Sequence, residues 1–484
     1  MSVRQVELAP GLSVAPIING LWQVADMERS GEPLDMLKAT AAMASYVEEG
    51  FSTFDMADHY GSSEVIAGNL KRNYPKPATF LTKWVPSPGP ISRQDALLAV
   101  NKALERLQTE QIELLQFHCW QYSDPAWLDA LHYLEEFRKE GLIKHIGLTN
   151  FDSVHLNMVL ESGIKVVSNQ VCFSLLDQRA AGMMKEVCKK HHVKLLAFGT
   201  LAGGFLSEKW MGVDEPALSE SHTWSQMKYK RFIDQVGGWE IYQNLLVVLR
   251  QIALKHEVSV SNVATKYILD FEHVAAVIVG VRLGENQHTA NNKKALNLSL
   301  DDTDRKQIEA VVSGFQAIPG DCGDEYRKPP FLTASGDLSH HFESAPSPYR
   351  IDAGPDLLKV KSGTIWEDIA GFSRAIRKGD RVLVSGTTAT HGKQVIGGKD
   401  PAAQTHFIID KIEGSLRSVG ASLEDVVRTR IFIRNISDWE PVARAHGQRF
   451  NTIQPANTMV RADLIGEEYL VEIEAEAMLN EGRP

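Results

Sequence analysis

Four polar side chains in the N-terminal part of the chain could together reduce a carbonyl group. These residues are Asp55, Tyr60, Lys83 and His118, and each comes at or shortly after the end of a short apolar stretch. An ammonium near a phenol favours loss of its proton, so Tyr60 beside Lys83 is suited to protonate a carbonyl oxygen as hydride reaches the carbon. Asp55 would hold Lys83 charged, and His118 would hydrogen-bond the carbonyl. Because no side chain supplies hydride, these residues predict a redox cofactor.

Each of these residues also has a structural explanation when it is considered alone. A lysine or histidine at a strand end is more often solvated or hydrogen-bonded than catalytic, and a tyrosine more often packs in a core. All four at neighbouring strand ends favour a catalytic site. The chemistry requires no metal and no covalent nucleophile.

Short stretches rich in Val, Ile, Leu and Phe alternate with amphipathic helical patterns through the first two thirds of the chain. The predicted strands are Val14–Val24, Phe51–Met56, Thr79–Trp84, Ile112–Trp120, His145–Thr149, Val166–Ser174, Lys194–Thr200 and Val274–Val281. This alternation is typical of a parallel sheet with helical crossovers. Eight such units predict an α/β fold, a (β/α)8 TIM barrel, whose strand ends display reactive side chains at one mouth.

A doubly wound open sheet is the alternative architecture. Such a sheet usually binds a nucleotide through G-x-G-x-x-G after its first strand. The first strand here ends in Asn19-Gly20-Leu21-Trp22-Gln23, and Ala202-Gly203-Gly204 does not complete the motif either. The barrel is therefore the better interpretation.

The length of 484 residues predicts more than one domain. We assign residues 1–317 to the barrel. Residues 318–355 are rich in Pro, Gly and Ser, which predicts a linker whose first part folds over the barrel mouth as a lid. Residues 356–484 alternate strand and helix patterns and predict a small α+β domain.

Composition limits the partners and the compartment. The net charge of -10 disfavours a nucleic-acid backbone, which needs clustered Lys and Arg. No stretch approaches the ~20 apolar residues of a membrane span, and no secretory signal is visible. The 4 cysteines lack metal-ligand spacing and fit buried, reduced thiols. A cytoplasmic protein is expected.

Several separated motifs over about residues 10–315 resemble the aldo-keto reductase superfamily. They are Phe54-Asp-Met-Ala-Asp-His-Tyr-Gly61, Thr82-Lys83, Gln116-Phe-His118, Gly147-Leu-Thr-Asn150 and Ser168-Asn-Gln170. The resemblance implies that Asp55, Tyr60, Lys83 and His118 are the catalytic tetrad. It also implies that NADPH, with NADH possible, reduces an aldehyde or ketone to an alcohol.

The same resemblance implies a set of cofactor-binding residues: Thr149, Asn150, Gln170, Phe198, Gly199, Leu201, Gly280, Arg282, Gln287 and Asn292. Thr149, Asn150 and Gln170 match the residues that bind the nicotinamide carboxamide. Phe198 stands where the family usually has a Tyr that stacks on the nicotinamide, and it keeps the stacking face. Arg282 matches the cation for the 2′-phosphate, which predicts a preference for NADPH.

Three tryptophans near strand ends are candidates for the substrate pocket: Trp22, Trp84 and Trp120. Aromatic residues at strand ends are also common packing residues, so both interpretations stay open. The loops that set specificity do not identify the carbonyl substrate.

The last part of the chain resembles the RidA/YjgF family, which has a chorismate-mutase-like fold. The matching stretches are Ser385-Gly386, Gly420–Val427, Gln454-Pro-Ala456 and Val471–Ala477. The resemblance implies trimers with clefts between subunits, in a family that includes enamine/imine deaminases. Deaminating members have an Arg after Pro-Ala that grips a carboxylate, but this chain has Asn457, which cannot supply a charged fork.

Three residues form the predicted cleft of this domain: Asn457, Arg461 and Glu472. Glu472 matches the family's water-orienting carboxylate, and strand alternation puts Arg461 on the face of Asn457. We expect the domain to serve oligomerisation, as a trimer, or binding of a small metabolite. For the whole chain, two functions are alternatives to a carbonyl reductase: a nucleotide-bound sensor or interaction protein with weak turnover, or enamine/imine deaminase activity in the C-terminal domain.

Overall fold

A computed structural model describes residues 3–24, 34–217, 223–284, 287–327 and 346–480. The N-terminal domain is a closed barrel of eight parallel strands, as predicted. The strands are Ile17–Gly20, Thr53–Asp55, Thr79–Trp84, Ile112–His118, Ile143–Thr149, Ser168–Cys172, Lys194–Phe198 and Val274–Gly280. The last strand pairs with the first, which leaves no open edge.

A hairpin precedes the barrel and closes its amino-terminal end. Its strands, Val6–Ala9 and Leu12–Val14, pair antiparallel. Leu8 and Leu12 share a buried cluster with the inward-facing side chains of three barrel strands: Ile18, Leu81 and Leu114. Because this end is filled with apolar groups, the barrel strands offer space for a ligand at their carboxyl-terminal mouth.

Helices surround the barrel and bury apolar faces against the strands. They are Met36–Glu48, Ser63–Asn73, Arg93–Leu107, Ala126–Lys139, Ser153–Glu161, Met183–His191, Trp224–Gln235, Trp239–Lys255, Val260–Leu269, Thr289–Asn297, Asp302–Val312 and the short Asp324–Arg327. Polar side chains start several of them, and Ser92 with Asp95 forms a reciprocal capping box. The short helix Asp324–Arg327 lies in the segment predicted as a linker.

The C-terminal domain is a seven-stranded sheet with two long helices. In chain order the strands are Arg350–Ala353, Leu358–Lys361, Ala375–Lys378, Arg381–Thr388, Val426–Ile433, Ala456–Arg461 and Val471–Met478. The main helices are Pro401–Ser418 and Trp439–Phe450, with a shorter one at Ile365–Ala370. The sheet begins at Arg350, inside the segment predicted as linker, because that strand pairs with Leu358–Lys361.

The two domains meet along the barrel helix Ser153–Glu161 and the helix Pro401–Ser418. His155 lies between two carboxylates, with Nδ1 2.7 Å from Asp152 and Nε2 2.9 Å from Asp410. Burial lowers the pKa of His155, but the two acids outweigh it and raise the pKa to about 9. Arg449 donates to the other oxygen of Asp410, so the interface is held by a buried network of charges.

Two further predictions concern the surface and the thiols. Among the residues with described positions, no helix has both the length and the apolar character of a membrane span. All four cysteines are free and buried: Cys119, Cys172, Cys188 and Cys322. Burial raises the pKa of Cys188 to about 12, which keeps this thiol protonated and unreactive at neutral pH.

Candidate active site

The carboxyl ends of the barrel strands open into a cavity of about 490 Å³. All four side chains of the predicted tetrad line it: Asp55, Tyr60, Lys83 and His118. Parallel strands bring their ends to one mouth, so residues far apart in sequence meet there. The geometry therefore joins the groups that carbonyl reduction requires.

Lys83 is fixed by a buried ion pair at the base of this cavity. Its Nζ lies 2.5 Å from an Asp55 carboxylate oxygen and 3.0 Å from the backbone oxygen of Met56. Both side chains are at most 5% exposed. Burial alone would lower the pKa of Lys83, but Asp55 and Tyr60 raise it above its usual value, so the ammonium stays charged.

Tyr60 packs between this ammonium and an aromatic neighbour. Lys83 Nζ lies 5.0 Å from the centre of the phenol ring, and the Trp22 indole meets the ring edge-on at 5.1 Å. Burial raises the pKa of Tyr60, and Lys83 opposes that rise only in part. The direction differs from the sequence expectation of a lowered pKa, because sequence patterns do not show how deeply the phenol is buried. Tyr60 therefore holds its proton at neutral pH and is an acid ready to donate.

His118 is oriented by the backbone of the next strand. Its Nδ1 lies 3.2 Å from the backbone oxygen of Thr149, and because a carbonyl oxygen only accepts, Nδ1 donates. The Trp120 ring meets the imidazole edge-on at 4.3 Å. With Nδ1 protonated, Nε2 accepts a hydrogen bond when the ring is neutral and donates one when it is charged. This nitrogen can therefore serve an alcohol in one direction of reaction and a carbonyl in the other.

Two glutamines donate hydrogen bonds to the second carboxylate oxygen of Asp55. Gln116 and Gln170 donate to it from 2.9 and 2.8 Å, and Gln170 also donates to Gln116 at 2.7 Å. Gln170 was predicted to bind nicotinamide; it lines the cavity, but its amide nitrogen is used by Asp55 and Gln116. Gln116 is a supporting residue that the sequence showed only as part of a motif.

Six of the predicted cofactor-binding residues line the cavity: Thr149, Asn150, Phe198, Gly199, Leu201 and Gly280. Asn150 has a left-handed backbone, with φ 57°, and its buried Oδ1 has no hydrogen-bond partner within the described residues. A buried acceptor of this kind fits the amide N–H of a nicotinamide. Phe198 adds an aromatic face for a flat ring, so the residues present fit a nicotinamide cofactor.

Other predicted site residues lie outside this cavity. Arg282 and Gln287 are exposed at the end of the last strand, next to residues 285–286, which are outside the described part of the chain. Gln287 donates to Ser45, and Asn292 lies on the helix Thr289–Asn297. Their binding of adenosine phosphate stays a prediction.

The tryptophans divide between the cavity and the core. Trp22 and Trp120 line the cavity. Trp84 does not; it is 7% exposed and packs against Phe117 at 5.6 Å. Trp84 is therefore a core residue and not a substrate contact. It directly follows Lys83 in the strand, and because successive side chains alternate, it points away from the barrel interior that Lys83 faces.

Among the cavity residues that the sequence analysis did not predict are a tyrosine and a lysine. Tyr326 lies in the short helix Asp324–Arg327, and its ring is 6.1 Å from that of His118. Lys228 lies in the helix Trp224–Gln235 and donates to the Tyr326 hydroxyl at 2.6 Å. The segment predicted as linker or lid thus reaches the mouth through Tyr326; its continuation, residues 328–345, lies outside the described residues.

The predicted cleft of the C-terminal domain is not assembled within one chain. Thr429 pairs with Asn457 on one side and with Ala475 on the other, so these three side chains share a face. Glu472 is an odd number of residues from Ala475 and points to the opposite face. Asn457 instead donates to Thr429 at 2.9 Å.

Glu472 has a different neighbour, the buried Arg374. Burial raises the pKa of Glu472, and Arg374 opposes the rise. The guanidinium donates to the backbone oxygen of Gly386 at 2.7 Å and to Thr387 at 3.0 Å. Gly386 lies against this carboxylate: a Cβ at this position would be 2.1 Å from a Glu472 oxygen and would displace it.

Comparison with known proteins agrees with this architecture. Residues 16–313 match the model of the Aldo/keto reductase family, and residues 365–479 match the model described as Endoribonuclease L-PSP. Because the first match covers more than half of the sequence, the chain belongs to the aldo/keto reductase family. It is an enzyme of the carbonyl-reducing oxidoreductases, with a second domain at its C-terminus.

Individual relatives fall into two groups. An uncharacterized oxidoreductase of Bacillus subtilis, YqkF, is 27% identical over 278 residues, which are 53% of this chain and 83% of that protein. The glycerol dehydrogenase of Gluconobacter oxydans shares the fold at 20% identity and a TM-score of 0.54, over 66% of this chain and 98% of that one. A YjgF/YER057c/UK114-family protein of Mycobacterium tuberculosis is 44% identical over 25% of this chain and 99% of its own, with a TM-score of 0.24.

Proposed function

We propose that the barrel catalyses NADPH-dependent reduction of an aldehyde or ketone to an alcohol. The observation that supports it most is the buried Asp55–Lys83 ion pair beside the Tyr60 phenol in a cavity with an aromatic wall. A nicotinamide supplies hydride when it is bound. The residues of the chain then have to bind the carbonyl, orient it and deliver one proton.

The proton pathway follows from the hydrogen bonds of the cavity. Tyr60 is protonated at neutral pH and gives its proton to the carbonyl oxygen as negative charge develops there. Lys83 stabilises the resulting phenolate, and Asp55 keeps that ammonium in place. When its ring is protonated, His118 donates a second hydrogen bond from Nε2, which fixes the carbonyl relative to Phe198.

Preference for NADPH over NADH is part of this proposal. Arg282 follows the last barrel strand and is exposed, and a guanidinium has the geometry to bind a 2′-phosphate through two hydrogen bonds. The four buried, free thiols support a reducing compartment such as the cytoplasm.

The experiment is a panel of aldehydes and ketones assayed with each nucleotide. We expect reduction to consume NADPH and alcohol oxidation to regenerate it, with kcat/KM higher for NADPH than for NADH. Failure of every carbonyl to oxidise either nucleotide would contradict the enzymatic proposal. It would favour the alternative of a nucleotide-bound sensor.

We further propose that the C-terminal domain assembles copies of the chain, as a trimer. Large apolar side chains are exposed on it: Ile365 at 67%, Ile369 at 72%, Ile436 at 64%, Trp439 at 54% and Ile465 at 79%. Ile365 and Ile369 lie one turn apart on the helix Ile365–Ala370, and adjoining exposed apolar side chains favour an interface. Light scattering should give three times the monomer mass; a monomer at micromolar concentration would contradict the proposal.

A further inference from the structure

A second lysine–tyrosine pair faces the tetrad across the mouth of the barrel. Lys228 and Tyr326 both line the cavity, and their side chains are joined by a hydrogen bond of 2.6 Å. The Tyr326 ring lies 6.1 Å from the ring of His118 and 6.5 Å from that of Phe198. It therefore stands between the group that orients the carbonyl and the aromatic wall.

The ammonium of Lys228 is enclosed by aromatic rings. Its Nζ lies 4.4 Å from the centre of the Tyr326 ring, 5.2 Å from Phe198 and 5.5 Å from Tyr229. The residue is only 7% exposed. Ring faces stabilise a cation without taking up its N–H groups. The aromatic rings and the low exposure thus favour a charged ammonium at the cavity wall.

Most of the hydrogen-bonding capacity of this ammonium is unused. A lysine ammonium has three N–H donors, and among the described residues the only hydrogen-bond acceptor of Lys228 is the Tyr326 hydroxyl. One oxygen of the nearby Glu325 carboxylate accepts from Arg179 at 2.9 Å, and Arg179 also binds Asp177. The other Glu325 oxygen has no hydrogen-bond partner among the described residues. Glu325 helps to keep Lys228 charged, but the remaining donors are available to a ligand in the cavity.

The segment that carries Tyr326 is anchored independently of any ligand. Arg179 donates to the backbone oxygen of Asp321 at 2.7 Å, and the backbone N–H of Ser153 donates to the Asp321 carboxylate at 2.8 Å. Gly323 passes so close to the backbone oxygen of Asn150 that a Cβ would lie 2.0 Å from it. The lysine–tyrosine pair is therefore preorganised.

We propose that Lys228 and Tyr326 bind a carboxylate on the carbonyl substrate, so that the preferred substrates are oxocarboxylates. The inference rests on the proposed reduction and names its substrate class. Charge-assisted hydrogen bonds from an ammonium and a hydroxyl are the interactions that a carboxylate prefers. The contact of Tyr326 with His118 places this anion site beside the reacting carbonyl and not at the distant end of a dinucleotide.

The test compares an acid with its neutral ester in the full-length enzyme. The probes are 4-carboxybenzaldehyde and methyl 4-formylbenzoate, each reduced with NADPH. We expect the wild type to prefer the acid and Lys228→Met to lower the ratio of kcat/KM, acid over ester, by about 10- to 100-fold, as for loss of a charged hydrogen bond. Tyr326→Phe should lower the ratio by a few-fold, and Lys228→Arg should restore part of it.

Lys230→Met is the matched control on the same helix. Lys230 is also largely buried, but its ammonium pairs with Glu215 and Asp234, away from the cavity. This variant should keep the wild-type ratio. Binding of 4-(hydroxymethyl)benzoate, followed through quenching of the cavity tryptophans, should weaken in Lys228→Met and not in Lys230→Met.

Other outcomes would overturn the inference in distinguishable ways. A wild type without preference for the acid, or an unchanged ratio in Lys228→Met, removes the anion site while ester reduction still supports the reductase. A weaker Kd for NADPH in Lys228→Met with an unchanged ratio would assign the cation to the cofactor phosphates. If the wild type reduces neither probe nor any other carbonyl, the proposed reaction fails and the inference fails with it.

Discussion

The barrel mouth and the C-terminal sheet both carry predicted polar site residues, but only in the barrel mouth do these side chains meet. In the barrel, Asp55, Lys83 and His118 come from three strands and meet in one cavity. In the C-terminal domain, Asn457 and Glu472 lie on opposite faces of one sheet. The difference arises from topology, because parallel barrel strands deliver their ends to a common mouth, whereas residues along an open sheet alternate between two faces.

Burial also separates the two regions. Lys83 and Asp55 are almost inaccessible to water and hold each other charged. Asn457 and Arg461 lie in an exposed strand at the sheet edge. Electrostatic interactions are stronger in the water-excluded site, so the barrel is where a proton transfer gains most from preorganised charges.

The largest effect is expected from breaking the barrel ion pair. Lys83→Met should lower kcat for carbonyl reduction by about 10²- to 10⁴-fold, because Tyr60 loses the cation that stabilises its phenolate. It should also destabilise the fold by roughly 3–5 kcal/mol, because Asp55 is left buried and unpaired.

Steady-state kinetics and urea unfolding measure the two effects of Lys83→Met. Lys230→Met is the control for removal of a paired lysine. A variant with wild-type kcat would show that the buried pair is only structural.

The domain interface should respond to pH through His155. The folded-state pKa of about 9 lies above the unfolded value of ~6.5, so its stabilisation is complete below ~6.5 and is lost as pH rises through about 9. We expect the unfolding free energy to fall by roughly 3 kcal/mol over this range.

His155→Gln should flatten this dependence, since the amide does not titrate. Urea unfolding at several pH values gives the comparison. An equal decline in both proteins would show that another group is responsible.

Cofactor preference should depend on Arg282. Arg282→Ala should raise KM for NADPH by about tenfold, the loss expected for one ion pair with a phosphate, and leave KM for NADH unchanged. Steady-state kinetics with both nucleotides measures this. Arg231→Ala, outside the cavity lining, is the control; equal changes for both nucleotides would remove the 2′-phosphate role of Arg282.

The smallest effect is expected in the C-terminal sheet. The full chain should hydrolyse 2-aminoacrylate no faster than buffer, because no guanidinium follows Pro455-Ala456 on the face of Glu472. Asn457→Arg should not restore the reaction, since the new side chain would extend from the face opposite to Glu472. Hydrolysis by the wild type that Glu472→Ala abolishes would contradict this difference between the two regions.

The barrel site could be predicted from the sequence further than the C-terminal site, because barrel topology alone brings strand ends together. The barrel and its tetrad could be predicted because each residue sits at a strand end, and the topology then brings the strand ends together. Lys228 and Tyr326 could not, since they are 98 residues apart and one lies in a segment with linker composition. The direction of the pKa shift of Tyr60 could not be predicted, because it depends on how deeply the phenol is buried. The sheet faces of Asn457 and Glu472 could not be predicted either, because they depend on how the strands pair.

The role of Tyr60 as the proton donor is tested most directly by a single-turnover measurement on the Tyr60→Phe variant. Enzyme preloaded with NADPH is mixed with an excess of a neutral aldehyde, and nucleotide oxidation is recorded by stopped flow. The account predicts a hydride-transfer rate about 10²- to 10⁴-fold below wild type, with the Kd for NADPH unchanged. Equal rates in the two proteins would show that Tyr60 is not the proton donor and would contradict the central claim.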